Sequence, residues 1–492
     1  MSLKTVITAG FVTGGILFAH ISPVQAQEAS PTKPQAGHAR NIILMISDGA
    51  SPNTWKAASY YRFGASGREV YDRFDVKLYA STYPLNMSVT PTLTDAGKIT
   101  FDPAQIWHNT PVEGPFTGAP GGYVGGHKRY FDGYDYARTY VTDSAAAATA
   151  LASGHKTYNS AINWSNNDKP LKHIGEYTVQ SGRALGVVTS VPWNNATPAG
   201  FLAHNLERNN YLEISQEIVT SGLATVIMGA GHPYFDVNGR PVSEPSDDLF
   251  RNVGGREIWA DLKAGNTDYK LIDTKMDFEA LAAGTLPMGD KTRLIGTAPN
   301  IASLQFTRSG VAGGDKLTNQ PDLATMTRGA LHVLSGDEDG FFLMVEGGAV
   351  DWAAHSNNLP RIIEEQIDFN LAVEAAVKWV ETHSSWDETL LIVTTDHGNG
   401  LLLGPDSDKV AYAPIINQGA GALPLVRWHT DNHTRELVPL FAKGVGSDYF
   451  LKVAKRHDGL SRHDVPESSW YYVDNTDVFH AAMAAFGLKT DQ

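Results

Sequence analysis

Along the chain, apolar and polar positions fall into two alternating kinds of segment. The first is a short unbroken apolar run closed by a turn signal: "NIILMISDG" carries five apolar residues, Ile42 to Ile46, and ends in Asp48 and Gly49. Such a run predicts a strand buried on both faces. The pattern returns in "RALGVVTSV" from Arg183, "ATVIMGAG" from Ala224, "GFFLMVEGG" from Gly340 and "TLLIVTTDHGNG" from Thr389. Between these lie helically spaced segments: "LKHIGEYTVQSG", "NNYLEISQEIVTSG", "PDLATMTRGALHVLSG" and the long "RIIEEQIDFNLAVEAAVKWVETH" from Arg361. Strands alternating with helices predict an α/β fold with a mostly parallel central sheet and helices on both faces. Two stretches, near 81–133 and 232–321, break the alternation with turn signals. They are expected to be loop-rich insertions in a single domain over residues 41–492, the first of them a lid or an interface.

Composition narrows the setting. Lys4 precedes a short apolar stretch that is broken by His20, and small residues lead up to Ala26. This is the pattern of a signal peptide over residues 1–26, too short to span a membrane, followed by a linker over 27–40. No later run is long and apolar enough for a transmembrane helix, so the expected location is exported, either periplasmic or secreted. The 492 residues include no cysteine. Any metal site must therefore use His, Asp, Glu or hydroxyl ligands. The formal charge is −14, from 39 Lys and Arg against 53 Asp and Glu, with no basic block. That argues against a nucleic-acid-binding surface.

Candidate chemistry collects at the strand ends. Asp48 follows "ILMIS", Glu346 follows "FFLMV", and Asp396 and His397 follow "LLIVTT". Ligands of open parallel sheets bind at the carboxyl ends of the strands, so these chain-distant acids should converge on one crevice. Burying several carboxylates together is costly without a cation. In "EGGAVDWAAHS", Asp351 and His355 stand four apart. On a helical turn they share a face and can grip one metal. A further imidazole comes from His429 or His433; His433 is preferred because it precedes the apolar strand "LVPLFA".

Two more segments suggest what acts beside the cations. In "VTDSAAAATALASG" an alanine-rich helix opens on Asp143 and Ser144. Thr142, Asp143 or Ser144 can cap its free N–H groups. Ser144 is also placed where a helix N-terminus favours negative charge, the usual setting for a phosphate. In "ATPAGFLAHNLER", a helix opened by Pro198 would put Thr197, His204 and Arg208 on one face. Arg208 could then clamp two phosphate oxygens through its planar fork.

In order, "ISDG", "VTDSAAAATALASG", "ATPAGFLAHNLER", "VEGGAVDWAAH", "TTDHG" and "NHTRELVPLFAKG" resemble the signature segments of the alkaline phosphatases, from Asp48 to about Gly444. The resemblance implies hydrolysis of a broad range of phosphate monoesters, with release of inorganic phosphate. Ser144 would be the nucleophile that becomes phosphorylated, and Arg208 would bind the non-bridging oxygens. One zinc ion is implied on Asp351, His355 and His433, and a second on Asp48, Asp396 and His397. A magnesium ion is implied on Asp48, Thr197 and Glu346. Co2+ or Mn2+ could substitute, since such sites do not choose strictly by affinity. A homodimer is suggested, with the insertions as its interface, and a monomer stays open.

The chain departs from the family pattern at two positions. Asn195 stands where Asp or His is frequent, and Trp352 where Lys or His is common. Both leave the phosphate with fewer charged contacts, which predicts weaker product binding and faster turnover where release is limiting. Asp143 is expected to approach the metals and their waters as well as to cap. His127 and His204 are candidates for lid or supporting roles. The alternatives are a phosphodiesterase of the same metal-dependent superfamily and a non-catalytic exported metal- or phosphate-binding protein. Diesterases usually present Thr as nucleophile and lack a clamp like Arg208, and a scavenger would not need Ser144. The short stretch from Gly400 to His429 leaves no room for a large crown domain.

Overall fold

Strand β1, Asn41–Ser47, is wholly buried and lies near the middle of an 11-stranded sheet. The computed structural model describes residues 37–94, 96–117, 127–311, 314–457 and 471–491, so the signal-peptide assignment and most of the linker lie outside the described residues. All described residues belong to one unit, Lys33–Gln492. Numbered along the chain, the other strands of the main sheet are β2 (Val76–Ser81), β3 (Ala184–Pro192), β4 (Val226–Ala230), β5 (Tyr269–Ile272), β6 (Arg293–Thr297), β7 (Phe341–Gly347), β8 (Thr389–Thr394), β9 (Val438–Gly444), β10 (Lys455–Arg456) and β11 (Tyr471–Asp474). Their spatial order is β10-β11-β2-β9-β8-β1-β7-β3-β4-β6-β5. Strand β9 runs antiparallel to β2 and β8, and β10 antiparallel to β11; the other pairs are parallel.

Alternate residues of β1 serve two cores, one on each face of the sheet. Ile42, Leu44 and Ile46 join the core that takes in Leu151, Ile214, Ile218 and Phe479 from helices Ser144–Ser153, Tyr211–Ser221 and Thr476–Phe486. Ile43 and Met45 join Trp55, Met326, Leu331, Phe369 and Val373 from helices Pro52–Phe63, Leu323–Leu334 and Leu359–His383. Each such buried side chain contributes about 1.5–3 kcal/mol relative to exposure. That is why the strand sequence is apolar throughout rather than alternating.

The two stretches expected to be insertions behave differently. Residues 232–321 supply β5 and β6, which extend the sheet at one edge in parallel. The sequence pattern hides them because β5 is only four residues long and half-buried at its centre. The described part of the first stretch packs Ile106 against Leu437. It also brings His127 Nε2 to 3.5 Å from Asp431 Oδ1, beside the segment that carries His433.

Candidate active site

Strands β8, β1 and β7 are neighbours, and in register Ile46 stands level with both Glu346 and Thr394. Asp48 and Asp396 therefore both emerge two residues past that level, at the carboxyl edge of the sheet. His397 Nε2 lies 3.2 Å from Asp396 Oδ2 and 3.5 Å from Asp48 Oδ1. The Ser144 hydroxyl is 3.3 Å from the same nitrogen. A second group forms on helix Ala349–His355, where Asp351 Oδ2 is 3.3 Å from His355 Nε2 and Oδ1 is 3.4 Å from His433 Nε2. The groups adjoin through the His397 and His433 rings, stacked with centroids 3.6 Å apart.

Two glycines make this convergence sterically open. Gly49 has a φ of +65°, and a Cβ there would stand 2.5 Å from Asp351 Oδ1. At Gly398 a Cβ would stand 2.4 Å from Thr434 Oγ1, inside the bridge that pairs Gly398–Asn399 with His433–Thr434. That bridge carries His433 to His397. The glycines of "ISDG" and "TDHG" are thus needed for close approach.

The donor set fits cations. The Nδ1 atoms of His355, His433 and His397 face the carbonyls of Asp431, Thr142 and Gly398 at 2.7, 2.7 and 3.2 Å. Carbonyls only accept, so each Nδ1 carries hydrogen and each Nε2 is turned toward the carboxylates, the orientation of metal-binding histidine. The Nε2 atoms of His355 and His433 meet at 3.0 Å. With hydrogen on both Nδ1 atoms, the two Nε2 lone pairs face each other, and positive charge between them relieves that repulsion. Asp48 Oδ1, Thr197 Oγ1, Glu346 Oε1 and Asp396 Oδ2 are buried without a hydrogen-bond partner. The first three make an all-oxygen set of the kind magnesium takes.

The electrostatics point the same way. Burial, reinforced by Asp396, Asp351 and Glu346, pushes the Asp48 carboxyl well above the usual range. Burial also raises Glu346 to about 7, against the Thr189 hydroxyl that donates to it, and Asp396 to about 6. Burial opposes the charge of Asp351 too, but His355 and His433 outweigh it and hold that carboxyl well below its usual value. Carboxylates this close cannot all ionise without positive charge among them.

Beside the cluster, Asp143 caps helix Ser144–Ser153 by accepting from Ala146 N at 3.0 Å. Its other oxygen accepts from Ser160 N at 3.0 Å and from Arg208 Nη1 at 3.1 Å. The contacts of Asp143 are thus the cap, the backbone and Arg208. Asn195 Oδ1 lies 3.5 Å from Arg208 Nη2, so the guanidinium is held from two sides.

The single helix expected from Thr197 to Arg208 does not form. The helix is confined to Ala196–Ala199. Gly200 packs so closely on Ala148 that a Cβ would stand 2.7 Å from the Ala148 methyl, and the Asn163 amide then holds the carbonyls of Gly200 and Ala203. His204 consequently sits between Glu217 and Glu176, at 3.1 and 3.4 Å, rather than beside the cluster. Those acids, against burial, hold its imidazole up to about 9. Trp352 rests edge-on to Phe306 with ring centroids 6.4 Å apart. His429 pairs with Ser407 Oγ at 2.7 Å.

Residue reading missed several contributors. Asn399 Nδ2 donates to Asp351 Oδ1 at 2.6 Å, and Thr189 donates to Glu346. Asn399 lies within "TTDHGNG" and was within reach of that motif. Thr189 sits inside β3, where nothing in the sequence distinguishes it from a buried strand threonine.

Comparison with known proteins places this site in a family. A family model described as alkaline phosphatase matches residues 122–422, more than half of the chain. Alkaline phosphatase 4 of Bacillus subtilis is 32% identical over 285 residues, 56% of this chain and 54% of that one. The chain thus spans about half the length of that curated relative. Streptomycin-6-phosphate phosphatase of Streptomyces griseus is 26% identical, covering 98% of this chain and 97% of its own. The solved alkaline phosphatase of the Antarctic bacterium TAB5 shares the fold, with a TM-score of 0.60 at 22% identity over 92% of this chain and 100% of that one. With a matching mostly parallel sheet, a cation-fitting cluster at its carboxyl edge and the family model spanning most of the segments that build it, the chain belongs to the alkaline phosphatase family.

Proposed function

We propose that the protein hydrolyses phosphate monoesters through a phosphoserine at Ser144. The observation that carries this reading is the Ser144 hydroxyl at 3.3 Å from His397 Nε2, where the carboxylate and imidazole cluster meets a helix N-terminus. Asp351, His355 and His433 would hold one zinc ion, Asp48, Asp396 and His397 a second, and Asp48, Thr197 and Glu346 a magnesium ion. Bound there, the ions supply Lewis acidity that makes a serine hydroxyl a competent nucleophile and stabilises the entering and leaving oxygens.

The chain's own residues supply the rest. The N-terminal end of helix Ser144–Ser153 favours negative charge on the serine oxygen and on the phosphoryl group. Arg208, aimed by Asp143 and Asn195, takes two non-bridging oxygens in its fork. The serine oxygen attacks phosphorus, losing its proton to water, and the ester P–O bond breaks. The departing alkoxide leaves as the alcohol with a proton from solvent. Water then attacks the phosphoserine, the bond to the serine oxygen breaks, and inorganic phosphate is released. Recognition falls on the phosphoryl group alone, which supports a broad range of monoesters.

The test is the initial rate on p-nitrophenyl phosphate and on bis(p-nitrophenyl) phosphate, at alkaline pH with zinc and magnesium, for the parent and Ser144→Ala. Fast monoester turnover, a much slower diester and near-complete loss in the variant are expected. Preference for the diester, or an active variant, refutes the reading.

A further inference from the structure

Outside the site just described, we infer that His173, Glu176 and His204 form a separate structural site for a zinc-class divalent cation. These side chains offer ligand atoms that all lie within 4.8 Å of one another, and they share no residue with the active-site cluster. Glu176 Oε2 stands 3.4 Å from His204 Nε2 and 3.7 Å from His173 Nε2. Donors of a tetrahedral zinc with bonds of about 2.0–2.1 Å stand roughly 3.3 Å apart, so small rotations close the set.

The His173 imidazole is the second, independent observation. Its side chain is fully buried, facing the Glu176 backbone N–H in a capping box, and neither ring nitrogen makes a closer hydrogen bond. A neutral imidazole always carries one N–H and one lone pair, and leaving both unmet in the interior is costly. A cation on Nε2 would satisfy the lone pair and remove its share of that cost. His204 is prepared for the same role. Glu217 Oε1 lies 3.1 Å from its Nδ1 and also accepts its backbone N–H at 3.0 Å, which fixes the ring and leaves Nε2 facing Glu176. A carboxylate behind the distal ring nitrogen is the arrangement found behind metal-binding histidines. The Leu171 carbonyl, 3.2 Å from His204 Nε2, accepts from that nitrogen while it is protonated, so a cation there displaces one proton.

The placement gives the site a purpose. His173 precedes helix Ile174–Gln180, whereas His204 lies between the Gly200 turn and Arg208. A cation here ties the segment that delivers Arg208 to the neighbouring helix, without touching substrate.

The experiment uses the full chain, stripped with chelator, reloaded with zinc chloride and freed of loosely bound metal by gel filtration. Zinc per chain is counted by plasma mass spectrometry for the parent, Glu176→Gln and His204→Gln, beside circular dichroism and Tm with and without zinc. Each variant should retain one zinc fewer than the parent and show a smaller zinc-dependent rise in Tm. His204 is about one-fifth exposed, so its variant decides the matter should Glu176→Gln misfold. Parental zinc content and parental Tm response in a folded variant would make the triad a proton-sharing ion-pair cluster and overturn the inference.

Discussion

Replacing Asp143 separates three interactions that one carboxylate makes at once. Asp143→Asn keeps an oxygen for Ala146 N, because Asn caps about as well as Asp. Its amide nitrogen, however, then faces Ser160 N and Arg208 Nη1, two donors. An unmet buried donor costs about 1–3 kcal/mol, and a partly exposed ion pair about 0.2–1 kcal/mol. Solvent reaches a fifth of both the Asp143 and Arg208 side chains, which favours the lower ends of these ranges. Asp143→Asn should therefore cost about 1–2 kcal/mol. Asp143→Ala also loses the cap and should cost about 1 kcal/mol more. The unit Lys33–Gln492 holds 460 residues. At about 2.1 cal/mol/K per residue its unfolding entropy is roughly 1 kcal/mol/K, so 1 kcal/mol shifts Tm by about 1 °C. Scanning calorimetry at fixed zinc, magnesium and pH should give drops of about 1–2 °C for Asn and about 2–3 °C for Ala. Equal drops would refute the cap, and no drop in the Asn variant would refute the Arg208 and Ser160 contacts.

Chelation should destabilise the protein, because cations at 100 times their dissociation constant contribute about 2.7 kcal/mol per site; a Tm unmoved by EDTA would refute the cation-fitting reading. Trp352→Lys should tighten competitive inhibition by inorganic phosphate several-fold by adding a positive charge next to Asp351, and an unchanged or weaker inhibition constant refutes that. Burial, with Asp368 and Glu364 beside it, pushes the Glu365 carboxyl from 4.5 up to about 8. The folded chain thus binds more protons than the unfolded one across that window, so stability falls as pH rises from about 4.5 to 8. Glu365→Gln should flatten the fall of Tm between pH 5 and 8.5, removing up to a few kcal/mol of it, and a parental pH slope would refute this.

What was legible in the sequence follows from how local each signal is. Asp48, Glu346, Asp396 and His397 stand at the ends of apolar runs, and parallel-sheet topology alone brings such ends together. Asp351 and His355 were legible because a single helical turn joins them. Arg208 was found for the wrong reason. Its helical face required the pattern after Pro198 to continue, and that pattern is overridden by Ala148 and Asn163, tens of residues away in sequence. The role of Asp143 was half legible for the same cause: capping is local, whereas its pairing with Arg208 depends on where that loop returns.

The same contrast explains why the site stands on strand ends and short turns while its arginine comes from a loop. The carboxylates repel one another, and only a rigid, buried scaffold can hold Asp48, Asp396 and Glu346 together for a cation to neutralise. The three strands beneath them are buried along their whole length, which makes their ends costly to displace. Arg208 needs no such enforcement. Its attraction to Asp143 draws it into place, so a loop held by Asn163 and by its own backbone bond to Ser160 suffices. Repulsive groups therefore sit on the sheet, and the attractive one on the loop.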